Sequence, residues 1–192
     1  MTDSIVVKRL VRSLRYKLTY IKVFESFLKP APPPAMVKLL NSLMGAQQAA
    51  ALSLSSYLQG LDVETQDLPL CQDLMDHAAQ RFGVRARLHF IYYGLDRAAS
   101  WYKTQLVDRQ MTADPELRNL LLDLGEREAA SLWYTEAVMV LLRIGLNSEA
   151  KDRRRPSQVE PGSADGWRPR LMGTERRPDW SGQKSANRSR RS

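Results

Sequence analysis

The sequence predicts an all-α fold, and three observations carry that reading. Four long stretches place apolar residues at spacings of three and four, the period that keeps one helix face apolar. Strand-type alternation and hairpin dipeptides are absent. The breaks between the stretches are marked by proline or glycine.

The first stretch, about 4–28, carries Val7, Val11, Leu14, Leu18, Ile21 and Leu28 on one face. Pro30 and Pro32-Pro33-Pro34 end it and form a stiff connector, since proline lacks the amide hydrogen a helix needs. The second, about 35–59, aligns Leu40, Leu43, Ala50, Leu54 and Leu58 and stops at Gly60. A connection over 61–83 has an acidic start and holds a short helix after Pro69. The third long helix, about 84–108, carries Leu88, Ile91, Leu95, Ala99, Tyr102 and Leu106. The fourth opens on Thr112-Ala113-Asp114-Pro115-Glu116, a start signal with proline in the first turn, and runs to about Ile144.

At 1.5 Å per residue the four helices are each about 37–45 Å long, so they can pack side by side. The connections run short, long, short. That order makes helices one and two an antiparallel hairpin and helices three and four another, with one long crossover between them. With the stretches Leu39-Leu40-Asn41-Ser42-Leu43 and Gly125-Glu126-Arg127-Glu128-Ala129, the chain over 4–145 resembles the ferritin-like, rubrerythrin-like four-helix bundles. The resemblance implies a fold with two metal ions held between helices by a Glu on each of two helices and a Glu-x-x-His on each of the other two.

The residues at the matching positions depart from that ligand set. Gln47 falls on the inward run of helix two, where the resemblance implies Glu. Glu128 falls on the inward run Leu121, Leu124, Glu128, Leu132, Thr135, Val138, but the triplet after it ends in Ser131 rather than His. A hairpin turning near 111–113 puts Asp96 level with Glu128. The metal candidates are therefore Gln47, Asp96 and Glu128. This set is too small for a di-iron centre and compatible at most with a single Mg²⁺ or Mn²⁺; no cofactor is expected. The alternative is structural: Glu128 as a buried carboxylate paired with Arg97 or hydrogen-bonded to Gln47 and Tyr57, fixing helix register. His77 and His89, the only two histidines, read as packing residues, and Cys71, the only cysteine, as a plain small residue. No phosphate-cradling glycine loop, nucleophile elbow or His-Glu-x-x-His pattern occurs.

Charge is concentrated at the ends. Residues 1–34 hold seven basic and two acidic residues (+5), residues 35–150 ten and fourteen (−4), and residues 151–192 twelve and five (+7), which together give the net +8. The opposite side of helix one carries Lys8, Arg12, Arg15, Lys22 and Lys29, so peripheral contact with an anionic membrane is an alternative to its place in the bundle. From Lys151 onward the composition turns to Arg, Gly, Ser, Pro and Asn without apolar periodicity, although Trp167 and Trp180 lie there. Such a segment buries too little to offset its chain entropy, and a disordered basic C-terminal tail is expected. The domains are then a helical bundle over 1–150 and the tail over 151–192. Arg153, Arg154, Arg155, Arg176, Arg177, Arg188, Arg190 and Arg191 are the candidate nucleic-acid contacts, through phosphate neutralisation.

With one cysteine, no disulfide framework is available, and the longest apolar run, Ala137 to Leu142, is far short of a bilayer span. Interrupting cations in the first stretch argue against a signal peptide. A cytoplasmic location is expected. The sequence points to a non-catalytic bundle serving as a structural or protein-interaction module, with a homo-oligomer or protein partner. The alternatives are a metal-binding protein or enzyme using Asp96 and Glu128, and a nucleic-acid-associated protein acting through its tail.

Overall fold

A computed structural model describes residues 4–145. Among these the chain is all-helical, with α1 (Ser4–Phe27), α2 (Pro34–Gln59), α3 (Gln72–Ala79), α4 (Gly83–Gln105), α5 (Arg109–Thr112) and α6 (Pro115–Leu141). No helix among the described residues is long and apolar enough to cross a membrane. The segment 151–192, with its eight candidate arginines, lies outside the described residues.

The third and fourth long helices both end three residues earlier than expected. The third long helix stops at Gln105 rather than Asp108, because Asp108 takes the N-cap of the extra turn α5 and accepts the Gln110 amide hydrogen at 2.9 Å. An aspartate gains more at an N-cap, where it satisfies an otherwise orphaned donor, than inside a helix. Asp114 repeats the device for α6, accepting from the Glu116 amide at 2.9 Å, with Pro115 in the first turn. The last helix closes at Leu141, three residues short of the expected end.

Cross-helix contacts give the chain direction. Arg9 reaches Asp108, Ser13 meets Tyr102, and Arg87 donates to the Phe27 carbonyl, so α4 runs antiparallel to α1. Gln47 meets Glu128 and Tyr57 meets Asp114, so α6 runs antiparallel to α2. Packed neighbours are α1 with α2, α2 with α6, and α4 with α6. In chain order the long helices therefore run up, down, down, up. The pairs α1 with α6 and α2 with α4 are parallel and face each other across the diagonals.

The crossover between the parallel helices α2 and α4 is tied to α1 as it passes. Arg15 Nε donates to the Pro69 carbonyl at 2.8 Å, and the Cys71 amide donates to Thr19 Oγ1 at 3.0 Å. Both links sit near the start of α3, which packs on α1.

The apolar core is divided into two clusters. One gathers Val23, Phe24, Phe27, Leu39, Leu40, Leu88, Ile91 and Met139 near the α1–α2 turn. The other gathers Leu10, Leu14, Leu54, Leu58, Leu117, Leu121 and Met111 at the opposite end. Each fully buried leucine or isoleucine contributes roughly 1.5–3 kcal/mol. The buried face of α1 includes Val6, Leu10, Leu14, Lys17, Val23, Phe24 and Phe27 rather than the expected stripe, of which Leu14 alone is buried; Lys8, Arg12 and Lys22 are its exposed cations.

Candidate functional site

Between the two apolar clusters lies a polar layer to which each long helix contributes one side chain. Lys17 comes from α1, Gln47 from α2, Tyr102 from α4 and Glu128 from α6, and all four are buried. Lys17 Nζ and Gln47 Nε2 both donate to Glu128 Oε1, the amide at 3.0 Å. The Lys17 and Glu128 side chains are only 5% and 3% exposed. The ammonium also lies over the Tyr102 ring, 5.2 Å from its centroid, and the Tyr102 hydroxyl is 2.8 Å from Ser13 Oγ.

The electrostatics follow from that placement. Burial on its own disfavours the ammonium, but Tyr102 and Glu128 outweigh it and hold the Lys17 pKa above its ordinary 10.5. Lys17 is thus a fixed cation. A carboxylate can only accept, so the amide of Gln47 must turn its NH₂ toward Glu128. That leaves Gln47 Oε1 buried without a hydrogen-bond partner. Ser131 and Thr135 continue the polar line along α6, with the Thr135 hydroxyl bonded to the Ser131 carbonyl at 2.8 Å.

Two of the three sequence candidates come together and one does not. Gln47 and Glu128 are hydrogen-bonded, whereas Asp96 is exposed and stands near Tyr92. The physical reason is register. A Cβ on Gly125 would lie 3.3 Å from Tyr102 Cβ, so residues 102 and 125 share a level, and the antiparallel pair then puts Ala99 opposite Glu128. The hairpin turns about a point one to two residues later than 111–113. An antiparallel pair doubles that error to three residues, nearly a full turn. Asp96 also follows buried Leu95, a step of about 100° off the inward face.

The expected partners of Glu128 divide in the same way. Gln47 is one, but Tyr57 instead donates to Asp114 at 2.5 Å, and Arg97 is exposed. Glu25 is exposed and paired with Lys22. His89 is buried edge-on to Tyr93, and His77 is exposed on α3. The residue that sequence reasoning missed is Lys17. Its signal was available, since the run Leu10, Leu14, Lys17, Phe24 keeps the helical spacing that singled out Gln47 and Glu128.

The donor set does not fit the metal pair that the resemblance implies. One carboxylate and one amide are present, and the ammonium sits where a metal ion would have to approach the carboxylate. Among the described residues, no group of three or more His, Cys, Asp or Glu could hold a metal ion. Comparison with protein-family models, curated proteins and solved structures finds no match. A surface groove of about 330 Å³ lies on the outer side of α1, lined by Val7, Lys8, Val11, Arg12, Arg15, Tyr16 and Cys71. None of its lining residues belongs to the buried layer.

Proposed function

We propose that this chain is a ferritin-like four-helix bundle in which an internal ion pair stands in for a metal centre, and that it serves as a non-catalytic structural or protein-interaction module. The observation that carries this reading is the buried Lys17–Glu128 pair. A ferritin-like core holds cations between converging carboxylates. Here the cation is part of the chain, donated by the helix diagonally opposite the carboxylate. The up, down, down, up course with its long crossover supports the same resemblance.

The test is metal analysis of the purified chain together with thermal shifts in added Mg²⁺, Mn²⁺ and Fe²⁺, repeated on Lys17→Met and Glu128→Ala. No stoichiometric metal and no metal-dependent shift are expected in the wild type. Stoichiometric iron or manganese that Glu128→Ala abolishes would overturn the reading in favour of a metal-binding protein or enzyme.

The +7 charge of residues 151–192 favours a second reading, sequence-independent nucleic-acid binding through that segment. It requires DNA binding that falls steeply with salt and disappears on truncation at Lys151. Equal binding by the truncated chain would overturn it.

A further inference from the structure

We propose that α6 forms a two-fold interface with a second copy of this chain, through Ala130, Trp133, Tyr134, Ala137, Val140 and Leu141. This rests on the interaction-module reading and names its partner and its surface. All six side chains are exposed, with Trp133 at 76%, Val140 at 72% and Leu141 at 69%. Their spacing of three and four places them on the side of α6 opposite Glu128, Ser131, Thr135 and Val138, which face the core.

A helix that is apolar on both sides is normally buried on both sides. The inner side of α6 packs on α2 and α4. The outer side has no covering element among the described residues. The contrast with α1 is direct, because its outer face carries Lys8, Arg12 and Lys22. Between Ala129 and Leu142 the only charged residue of α6 is Glu136, which stands at the stripe's edge near Tyr92.

Area and symmetry select a second copy as the occupant. The stripe presents on the order of 500 Å² of apolar surface, at the upper range for the largest patch of a monomer. Two such patches amount to about 1,000 Å², close to the apolar share of a standard interface of about 1,600 Å². A two-fold axis at Ala137 sets Trp133 against the partner's Leu141 and Tyr134 against the partner's Val140. Large side chains then meet medium ones, and the two alanines on the axis let the helices approach to about 8–10 Å. An anionic lipid surface suits the stripe poorly, because Glu126 and Glu136 border it.

The experiment is sedimentation velocity of the full chain at tens of micromolar, for the wild type and Ala137→Glu. The wild type is expected at twice the 21.9 kDa chain mass. In Ala137→Glu the buried like charges should weaken association at least ~100-fold, with the helical circular dichroism unchanged. Independently of that variant's folding, Ala137→Cys in a Cys71→Ser background should give a covalent dimer with a short bis-maleimide, and Ser100→Cys on exposed α4 should not. A wild-type monomer throughout the range, a dimer that survives Ala137→Glu, or binding to anionic vesicles through this stripe without dimerisation would each overturn the proposal. None of these outcomes bears on metal content, so the core reading stands or falls separately.

Discussion

Lys17 and Glu128 meet across the diagonal of the core, from two parallel helices 111 residues apart in the chain. The pair is nine-tenths buried on both sides and shares its carboxylate oxygen with Gln47. Taking two charges out of water costs several kcal/mol per ion, which their attraction offsets only while both are present.

Removing one partner should therefore cost more than removing both. Lys17→Met or Glu128→Gln alone is expected to lower unfolding stability by about 3–5 kcal/mol, while Lys17→Met with Glu128→Leu should be near neutral or more stable than wild type. Urea unfolding of the three variants measures the difference. Equal and additive losses would show that the charges do not interact.

Alkali should act on the same pair. The folded pKa of Lys17 lies above its ordinary 10.5, so its contribution is fully present below about pH 10.5 and is lost as pH rises through the folded value. Thermal melts from pH 8 to pH 12 should show a fall above pH 10.5 that is smaller in the double variant.

Acid should act on a second ion pair, Arg9 with Asp108. Arg9 holds the Asp108 carboxylate at 2.5 Å, the Gln110 amide adds a second bond, and its pKa is lowered from the usual 3.8. A lowered carboxylate pKa gives stability that is present above the unfolded value and lost as pH falls through the folded one. Carbon-detected carboxyl titration should find Asp108 below 3.8, and Arg9→Met should raise it.

Tyr20 and Gly94 form a tight approach between α1 and α4. A Cβ built on Gly94 would fall inside the van der Waals radius of the Tyr20 hydroxyl. Gly94→Ala is expected to cost about 1–3 kcal/mol through overpacking, outweighing the gain in helix propensity. Tyr20→Phe should recover most of that loss, as a double-mutant cycle would show.

The candidate site was half legible in the sequence, and the boundary has a physical explanation. Gln47 and Glu128 stood out because an apolar stripe with one polar residue advertises itself. Lys17 interrupts the run Leu10, Leu14, Phe24 in the same way, but the stripe expected of helix one goes through Val7, Val11, Leu14, Leu18, Ile21 and Leu28 and passes Lys17 by, leaving it one cation among seven in the first 34 residues. Asp96 failed because a level across a hairpin depends on where the turn is centred, and α5 hides that centre. The helices themselves were readable because period and punctuation are local properties. Which helix presents the ammonium to Glu128 is decided by packing across the diagonal.

The polar layer also bears on how the two halves of the chain find each other. The first hairpin brings an ammonium and the second a carboxylate, each sealed among apolar neighbours. Two first hairpins would bury like charges together, and so would two second hairpins. Only the unlike combination neutralises the interior, so homotypic pairing of half-formed chains is penalised from within.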